Sequence, residues 1–315
     1  MLNRESLPFS LHYTGGTINR AVEKRGDTDW IAEQLSHASC LIAPMWRNRS
    51  LITQADEPTA VLTNGDVAQE FLKLAEDVVL LGIEQETGSA VFAADLSHHD
   101  DGAITHLTDG ASFLDLREIG PMMNTQEANL LAFARGVMFW HGRQRFCGIC
   151  GHATESRNAG HMRLCMNSEC AREHYPRTDP AVIMMVTRET PNGDVCLLAH
   201  KSTMPKGRFS VLAGYVDPGE SLEEAVAREV REETGIIVDE VRYRASQPWP
   251  FPSSLMLGFQ AHAISEEITC DEVEIAEAYW FSRDDLHDFP NRGYQLSRPD
   301  SIARCLIDEW LNEGD

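Results

Sequence analysis

Basic residues are scarce in this 315-residue chain, with 27 lysines and arginines against 49 aspartates and glutamates and a formal charge of -22. A field of that sign repels phosphate at a distance, which disfavours non-specific binding to nucleic acid or to anionic lipid. An anionic substrate therefore needs metal ions or a local group of cations. Long apolar runs are missing too: no segment approaches the roughly eighteen consecutive apolar residues of a membrane helix. The run 1–10 carries Asn3, Arg4, Glu5 and Ser6 where a secretory leader needs apolar residues. The expectation is a cytoplasmic protein with no membrane partner. Cysteine is sparse outside one window. Of eight, Cys40, Cys196, Cys270 and Cys305 are scattered, whereas Cys147, Cys150, Cys165 and Cys170 fall close together. That distribution excludes a disulfide framework and fits metal ligation in a reducing compartment.

What is present is apolar content of 43%, more than one small core can hold. Residues 1–123 alternate β-type runs at 40–46, 78–83, 90–96 and 113–116 with Gly, Asp and Asn turn signals, which predicts an α+β domain. Asn124 and Glu127 make a capping box, and Leu130, Leu131, Ala134, Val137, Met138 and His141 keep helical spacing up to Gly142. This helix opens a second unit, 124–175, that holds the cysteine window. The turn-rich 176–180 then leads into a third unit, 176–315, with strands predicted at 181–186, 195–200, 209–212 and 255–264. No internal repeat is visible.

The run GYVDPGESLEEAVAREVREETGI at 214–236 carries the most chemistry. Ser221 and Glu224 form a capping box after the Pro218, Gly219 turn. Leu222, Val226 and Val230 recur four apart, and Gly235 stands where a C-terminal cap belongs, so a helix of about three and a half turns is predicted. At roughly 100° per residue, Glu229, Glu232 and Glu233 project within one arc near its C-terminal end. The macrodipole is already negative there, so the three acids are unfavourable unless a cation neutralises them. Hard oxygen ligands suit Mg²⁺ or Mn²⁺. The alternative is a solvated helix face in which Arg228 and Arg231 lace the glutamates together.

The full spacing runs from Gly214 through Glu220, Arg228, Glu229, Glu232 and Glu233 to Gly235. Seven fixed positions at about 6–7% usage each coincide by chance once in roughly 10⁸ registers, and this array resembles the signature of the Nudix hydrolase family. The resemblance implies an α/β/α sandwich whose helix presents metal ligands to a diphosphate. It implies Glu229, Glu232 and Glu233 as catalytic metal ligands, joined by the Ala213 carbonyl and by a glutamate on a later loop. Glu274 is the best match for the latter, with Glu277 as runner-up. Two to three Mg²⁺ or Mn²⁺ ions are implied; such cations screen a pyrophosphate's charge and lower the pKa of a bound water. A carboxylate then takes the proton, and Glu232 and Glu274 stand equal as that base. Gly214, Glu220, Arg228 and Gly235 are implied as structural, with Arg228 and Glu220 bracing the loop against the helix.

Ten residues further on, SQPWPFPSS at 246–254 alternates prolines with aromatic rings, which holds flat faces in place at low entropic cost. Such faces stack on adenine or nicotinamide, and Gln247 and Ser254 offer hydrogen bonds at the rim. This array resembles that of the NADH pyrophosphatase subfamily. The resemblance implies that Gln247, Pro248, Trp249, Pro250, Phe251, Pro252, Ser253 and Ser254 line a dinucleotide site. It further implies that Tyr215 stacks on a ring where Phe is usual, and that Tyr175 and Ala303 are further contacts. A glutamate that some members carry in the ribbon stands as Gly160 here. A homodimer with the ribbon near its interface, Tyr175 acting across it, is also implied.

Cys147-x₂-Cys150, fourteen residues, then Cys165-x₄-Cys170 has the spacing of a closed tetrahedral zinc site, one structural Zn²⁺ per chain. His152 and His161 are possible substitute ligands. Across 141–177, Arg143, Arg145, Arg157, Arg163, Arg172 and Arg177 outnumber Glu155, Glu169 and Glu173. That excess fits either a charged surface or a contact for RNA whose 5′ end carries NAD, a substrate the subfamily resemblance also implies. The reading that follows is metal-dependent hydrolysis of the NAD(H) pyrophosphate to a nicotinamide mononucleotide and AMP. The alternatives are ADP-ribose hydrolysis, removal of NAD caps from RNA, or a dinucleotide sensor or nucleic-acid-binding regulator in which dinucleotide binding controls a partner. The complete glutamate set argues against the sensor.

Overall fold

The computed structural model describes residues 11–271 and 273–313; the polar run 1–10, expected not to be a secretory leader, lies outside the described residues. The chain forms two compact units. One comprises Tyr13–Thr178 with Trp249–Ser253, and the other comprises Asp179–Pro248, the described part of Ser254–Asp315, and Leu11 and His12.

The first unit contains α1 (Thr28–Ser36), β1 (Leu41–Trp46), β2 (Arg49–Ile52), α2 (Gly65–Leu74), β3 (Val78–Ile83), β4 (Ala90–Asp95), α3 (Asp101–Ile104), β5 (Ser112–Leu114), α4 (Leu116–Ile119) and α5 (Thr125–Arg143). Its sheet runs β3-β4-β1-β2-β5, with β1 parallel to β4 and the other neighbours antiparallel. Alternation along the strands divides the apolar residues between two faces. Ala43, Met45, Val79 and Leu81 pack under Ala134, Val137 and Met138 of α5. Ile42, Leu80 and Phe92 pack with Ala68 and Phe71 of α2. The capping box predicted for α5 is only half made. Asn124 accepts the Gln126 N–H at 2.9 Å, but Glu127 turns away and accepts the Ala60 N–H at 3.4 Å. The helix also runs one residue past Gly142, closing when the Gln144 N–H bonds back to the Trp140 carbonyl at 2.9 Å. A small sheet of β6 (Thr154–Arg157), β7 (Met162–Cys165) and β8 (Glu173–His174) carries the cysteines.

The second unit contains β9 (Asp179–Arg188), β10 (Val195–Lys201), β11 (Leu212–Tyr215), α6 (Leu222–Thr234), β12 (Val238–Trp249), β13 (Ser254–Ala263), β14 (Ile275–Ser282), α7 (Arg283–His287) and α8 (Ile302–Asn312). Its sheet runs β12-β13-β9-β10-β14, and β11 pairs with β9. Along β9, Val182, Met184 and Val186 face Val226 and Val230 of α6, whereas Ile183 and Met185 face Leu306 and Ile307 of α8. This is the expected α/β/α sandwich. The strand predicted at 209–212 lies further on, since Ser210 makes only one bridge, to Ala199, before β11 begins at Leu212. Strand β12 escapes the pattern because Asp239, Glu240, Arg242 and Arg244 interrupt its apolar alternation. The acidic stretch from Asp271 leads into strand β14.

Candidate metal and diphosphate site

The site is built on α6. Ser221 accepts the Glu224 N–H at 3.2 Å while the Glu224 carboxylate accepts the Ser221 N–H at 2.7 Å, so the capping box is complete. Gly235 ends the helix at φ 72°, a left-handed conformation that favours glycine. Ala225, Val226 and Val230 bury one stripe against the sheet, which fixes the helix's rotation and so the direction of its glutamates.

Each glutamate meets a cation of the chain. The Arg228 guanidinium donates to Glu220 at 2.6 and 3.0 Å, to the Tyr215 carbonyl at 2.9 Å, to Glu229 at 2.9 Å and to Glu232 at 3.0 Å. It ties the loop after β11 to α6 and holds the Glu220 carboxyl down at about 2. Glu229 is pressed onto Gly214, where an added Cβ would lie 1.9 Å from its carboxylate carbon. Glycine at 214 is therefore a requirement of close approach.

Glu233 is 4% exposed, and burial pushes its carboxyl up to about 6 against the opposing pull of Lys201. Lys201 Nζ donates to Glu233 Oε1 at 2.7 Å and to the Ala213 carbonyl at 3.3 Å, and lies 3.5 Å from Glu274 Oε2. Glu233 Oε2 is buried with no hydrogen-bond partner among the described residues. Glu274 is held by Asp271, whose carboxylate accepts the Val273, Glu274 and Ile275 N–H groups. Its runner-up Glu277 instead accepts the Tyr279 hydroxyl at 3.0 Å. The structure thus brings Ala213, Glu233 and Glu274 around one point, with Glu229 and Glu232 beside Arg228. A buried carboxylate oxygen left unpartnered, in a group of five carboxylates served by two cations, fits a divalent metal. Lys201 was not anticipated; a lone lysine ending an apolar strand carries no signal of its own.

The aromatic array divides. Gln247 is not at a rim: it is fully buried in β12, donating to the His12 and Asp300 carbonyls and accepting the Ile302 N–H at 2.8 Å. Ala303 is buried beside Ile302 and Leu306. Tyr215 is 58% exposed, and its hydroxyl lies 3.5 Å from Ser254 Oγ, the partner that a Tyr in place of Phe needs. Pro248 is exposed at the end of its unit. Trp249, Pro250, Phe251, Pro252 and Ser253 belong to the first unit. There the Trp249 and Phe251 rings pack edge to face with each other and with Tyr13, and Arg135 donates to the Pro250 carbonyl at 2.9 Å.

In the ribbon the four cysteine sulfurs lie within 4.8 Å of one another, with Cys147–Cys170 at 3.8 Å and Cys150–Cys165 at 3.4 Å. A tetrahedron with Zn–S bonds of about 2.3 Å has edges of about 3.8 Å, so the set fits zinc. Backbone N–H groups of Cys150 and Ile149 hold the Cys147 thiol down at about 6, readied as a thiolate. His161 is excluded as a ligand because it is buried on the Leu80 carbonyl at 2.7 Å, and His152 turns to the Cys150 carbonyl at 3.3 Å. His174 lies 3.3 Å from the Cys147 sulfur, as a neighbour outside the four. Tyr175 is 59% exposed and donates to Glu173. At Gly160 (φ 90°) a Cβ would meet Val79 at 2.5 Å, so no glutamate fits there. The arginine excess is partly committed elsewhere: Arg163 is buried on Asp77 at 3.0 Å and on Thr154, and Arg145 pairs with Glu76. Among the described residues no helix is long and apolar enough to cross a membrane.

Three family models match the chain: a NUDIX domain at residues 177–299, an NADH pyrophosphatase-like rudimentary NUDIX domain at 39–140, and an NADH pyrophosphatase zinc ribbon domain at 143–175. The chain is 33% identical to the NAD-capped RNA hydrolase NUDT12 of Homo sapiens, over 95% of this chain and 73% of that protein. It is 42% identical to the NAD-capped RNA hydrolase NudC of Stutzerimonas stutzeri, over 64% of this chain and 68% of that one. To the protein of that name from Mycobacterium bovis it is 41% identical, over 64% and 66%.

Proposed function

The chain belongs to the Nudix hydrolase family, with the zinc ribbon and N-terminal domain of NADH pyrophosphatases, and from that premise we propose that it hydrolyses the pyrophosphate of NAD(H), free or as the 5′ cap of RNA. Water attacks phosphorus, the bridging P–O bond breaks, and the products are a nicotinamide mononucleotide and AMP, or a 5′-monophosphate RNA. The observation that carries this reading is the α6 cradle, where the buried Glu233 and the glycine-packed Glu229 stand beside the Ala213 carbonyl and Glu274. These groups and Glu232 would hold Mg²⁺ or Mn²⁺. The ions supply charge neutralisation at the pyrophosphate oxygens and acidification of water. Either Glu232 or Glu274, 61% and 64% exposed at the side chain, would take the proton. Arg228 orients the helix glutamates, and the exposed Tyr215 ring offers a stacking face for a base. The separation into units 1–123, 124–175 and 176–315 is part of the same proposal, with the last carrying the chemistry.

Rates on NADH, NAD⁺, ADP-ribose and NAD-capped RNA, measured side by side with Mg²⁺ and Mn²⁺ and with product identification, test it. Mononucleotide products from the NAD substrates are expected, and binding without turnover would return the sensor reading. A homodimer is also proposed, supported by the exposed Phe146, Ile149, Met166 and Tyr175 of the ribbon unit, and is checked by sedimentation. A reducing, cytoplasmic location is supported by eight cysteines with no disulfide.

A further inference from the structure

Three oxygens named as metal ligands, from Glu233, Ala213 and Glu274, converge on one ammonium group, Lys201 Nζ, at 2.7, 3.3 and 3.5 Å. We infer that Lys201 is a built-in counter-cation of the metal site, which holds the ligands together in the metal-free chain and is displaced when a divalent ion binds. The inference rests on the reading of these groups as metal ligands.

Placement of the lysine is a property of the fold. The β10–β14 register shifts between His200 and Lys201, and this irregularity at the end of β10 directs the last side chain. Leu197 and Ala199 of the same strand already pack toward α6, so Lys201 continues that face and reaches the buried end of the glutamate arc. A carboxylate as covered as Glu233 needs a positive partner, and a flexible four-carbon stem supplies one without a bound ion. The head is not locked in. The Lys201 side chain is 23% exposed, leaving a route by which the ammonium withdraws toward solvent. Glu233 Oε2 remains unpartnered among the described residues, so the ammonium serves only one of the two oxygens and the cradle is incompletely satisfied without metal.

Competition has a defined consequence. The apparent metal affinity is the intrinsic affinity reduced by the fraction of molecules in which the lysine has vacated the site. A monovalent ion gains little by replacing an ammonium of equal charge, whereas a divalent ion gains the second charge. Lys201 therefore sets the metal concentration at which the site fills and favours divalent cations.

The test uses the zinc-loaded full chain and Mn²⁺, with free Mn²⁺ read by electron paramagnetic resonance. Lys201→Met keeps the stem and removes the charge; it is expected to bind Mn²⁺ about tenfold more tightly and, without Mn²⁺, to melt at a lower temperature than the parent. A second readout needs no variant. Reductive methylation of Lys201 in the parent chain, followed by mass spectrometry, is expected to speed up when Mn²⁺ is added. Unchanged or weaker Mn²⁺ binding by Lys201→Met, or methylation that Mn²⁺ does not accelerate, overturns the inference alone. Absence of Mn²⁺ uptake by the parent overturns the metal site and the inference with it.

Discussion

Both large sheets place a parallel pair at the centre, β1 beside β4 in one and β9 beside β13 in the other, and build outward in the same order. Each also sends a segment back across its first strand, at Thr63 against Ile42 and at β11 against β9, before a helix begins. The helices then differ. On α2 the acids are Asp66 and Glu70, both exposed, and Glu70 pairs with Lys73 at the surface. On α6, beyond Glu223 and Glu224 of the first turn, Glu229, Glu232 and Glu233 gather in the C-terminal half, with Glu233 buried and Glu229 packed on Gly214. One topology therefore occurs twice, and the proposed chemistry belongs to the residues grafted on the second copy.

The sharpest way to break that contrast is to neutralise one acid on each helix. Glu233→Gln is expected to lower NADH turnover by about 10²–10³-fold with the fold retained, since a first-contact metal ligand carries several kcal/mol. Glu70→Gln should change turnover by no more than about twofold. Equal losses from the two variants would mean that α6 is not the reactive helix.

The ribbon sharpens the comparison from another side, because its metal is structural. Stripping zinc with a strong chelator, or replacing Cys150 by Ser, should lower the melting temperature by roughly 10 °C. Calorimetry that shows an unchanged midpoint would remove the four cysteines from the stability of the fold.

A smaller effect is expected from Gly214→Ala. The new Cβ must push the Glu229 carboxylate aside, and Mn²⁺ affinity should fall about tenfold. An undiminished affinity would show that Glu229 is not held for metal.

The smallest concerns Glu220. Arg228 holds its carboxyl at about 2, against an ordinary value of 4.5. The folded pKa is the lower one, so the stabilisation is complete above about pH 4.5 and is lost as pH falls through about 2. Glu220→Gln should melt slightly below the parent at neutral pH, with the gap closing across that window. A gap that persists at pH 2 would assign the effect to packing instead.

Much of the second copy is legible in its sequence. The capping box at Ser221, the stripe of Val226 and Val230, and the stop at Gly235 are local rules, and the helix obeys all of them. The repetition of topology was not legible. Strand order arises from pairing between distant segments and leaves no period in the chain, so two sheets of one plan need share no residues. Gln247 illustrates the same limit inside the site. Its neighbours suggested a stiff aromatic loop with Gln247 at its rim, but β12 runs through it and backbone groups of His12, Asp300 and Ile302 consume its amide. Lys201 stands at the far end of legibility, because its role depends on a register shift and on three partners from other elements.

Anomalous scattering from crystals soaked in Mn²⁺ tests the central claim most directly. Peaks are predicted against Glu229, Glu233 and the Ala213 carbonyl, with none along α2. An α6 bare of manganese in crystals whose dissolved protein still hydrolyses NADH would contradict the account.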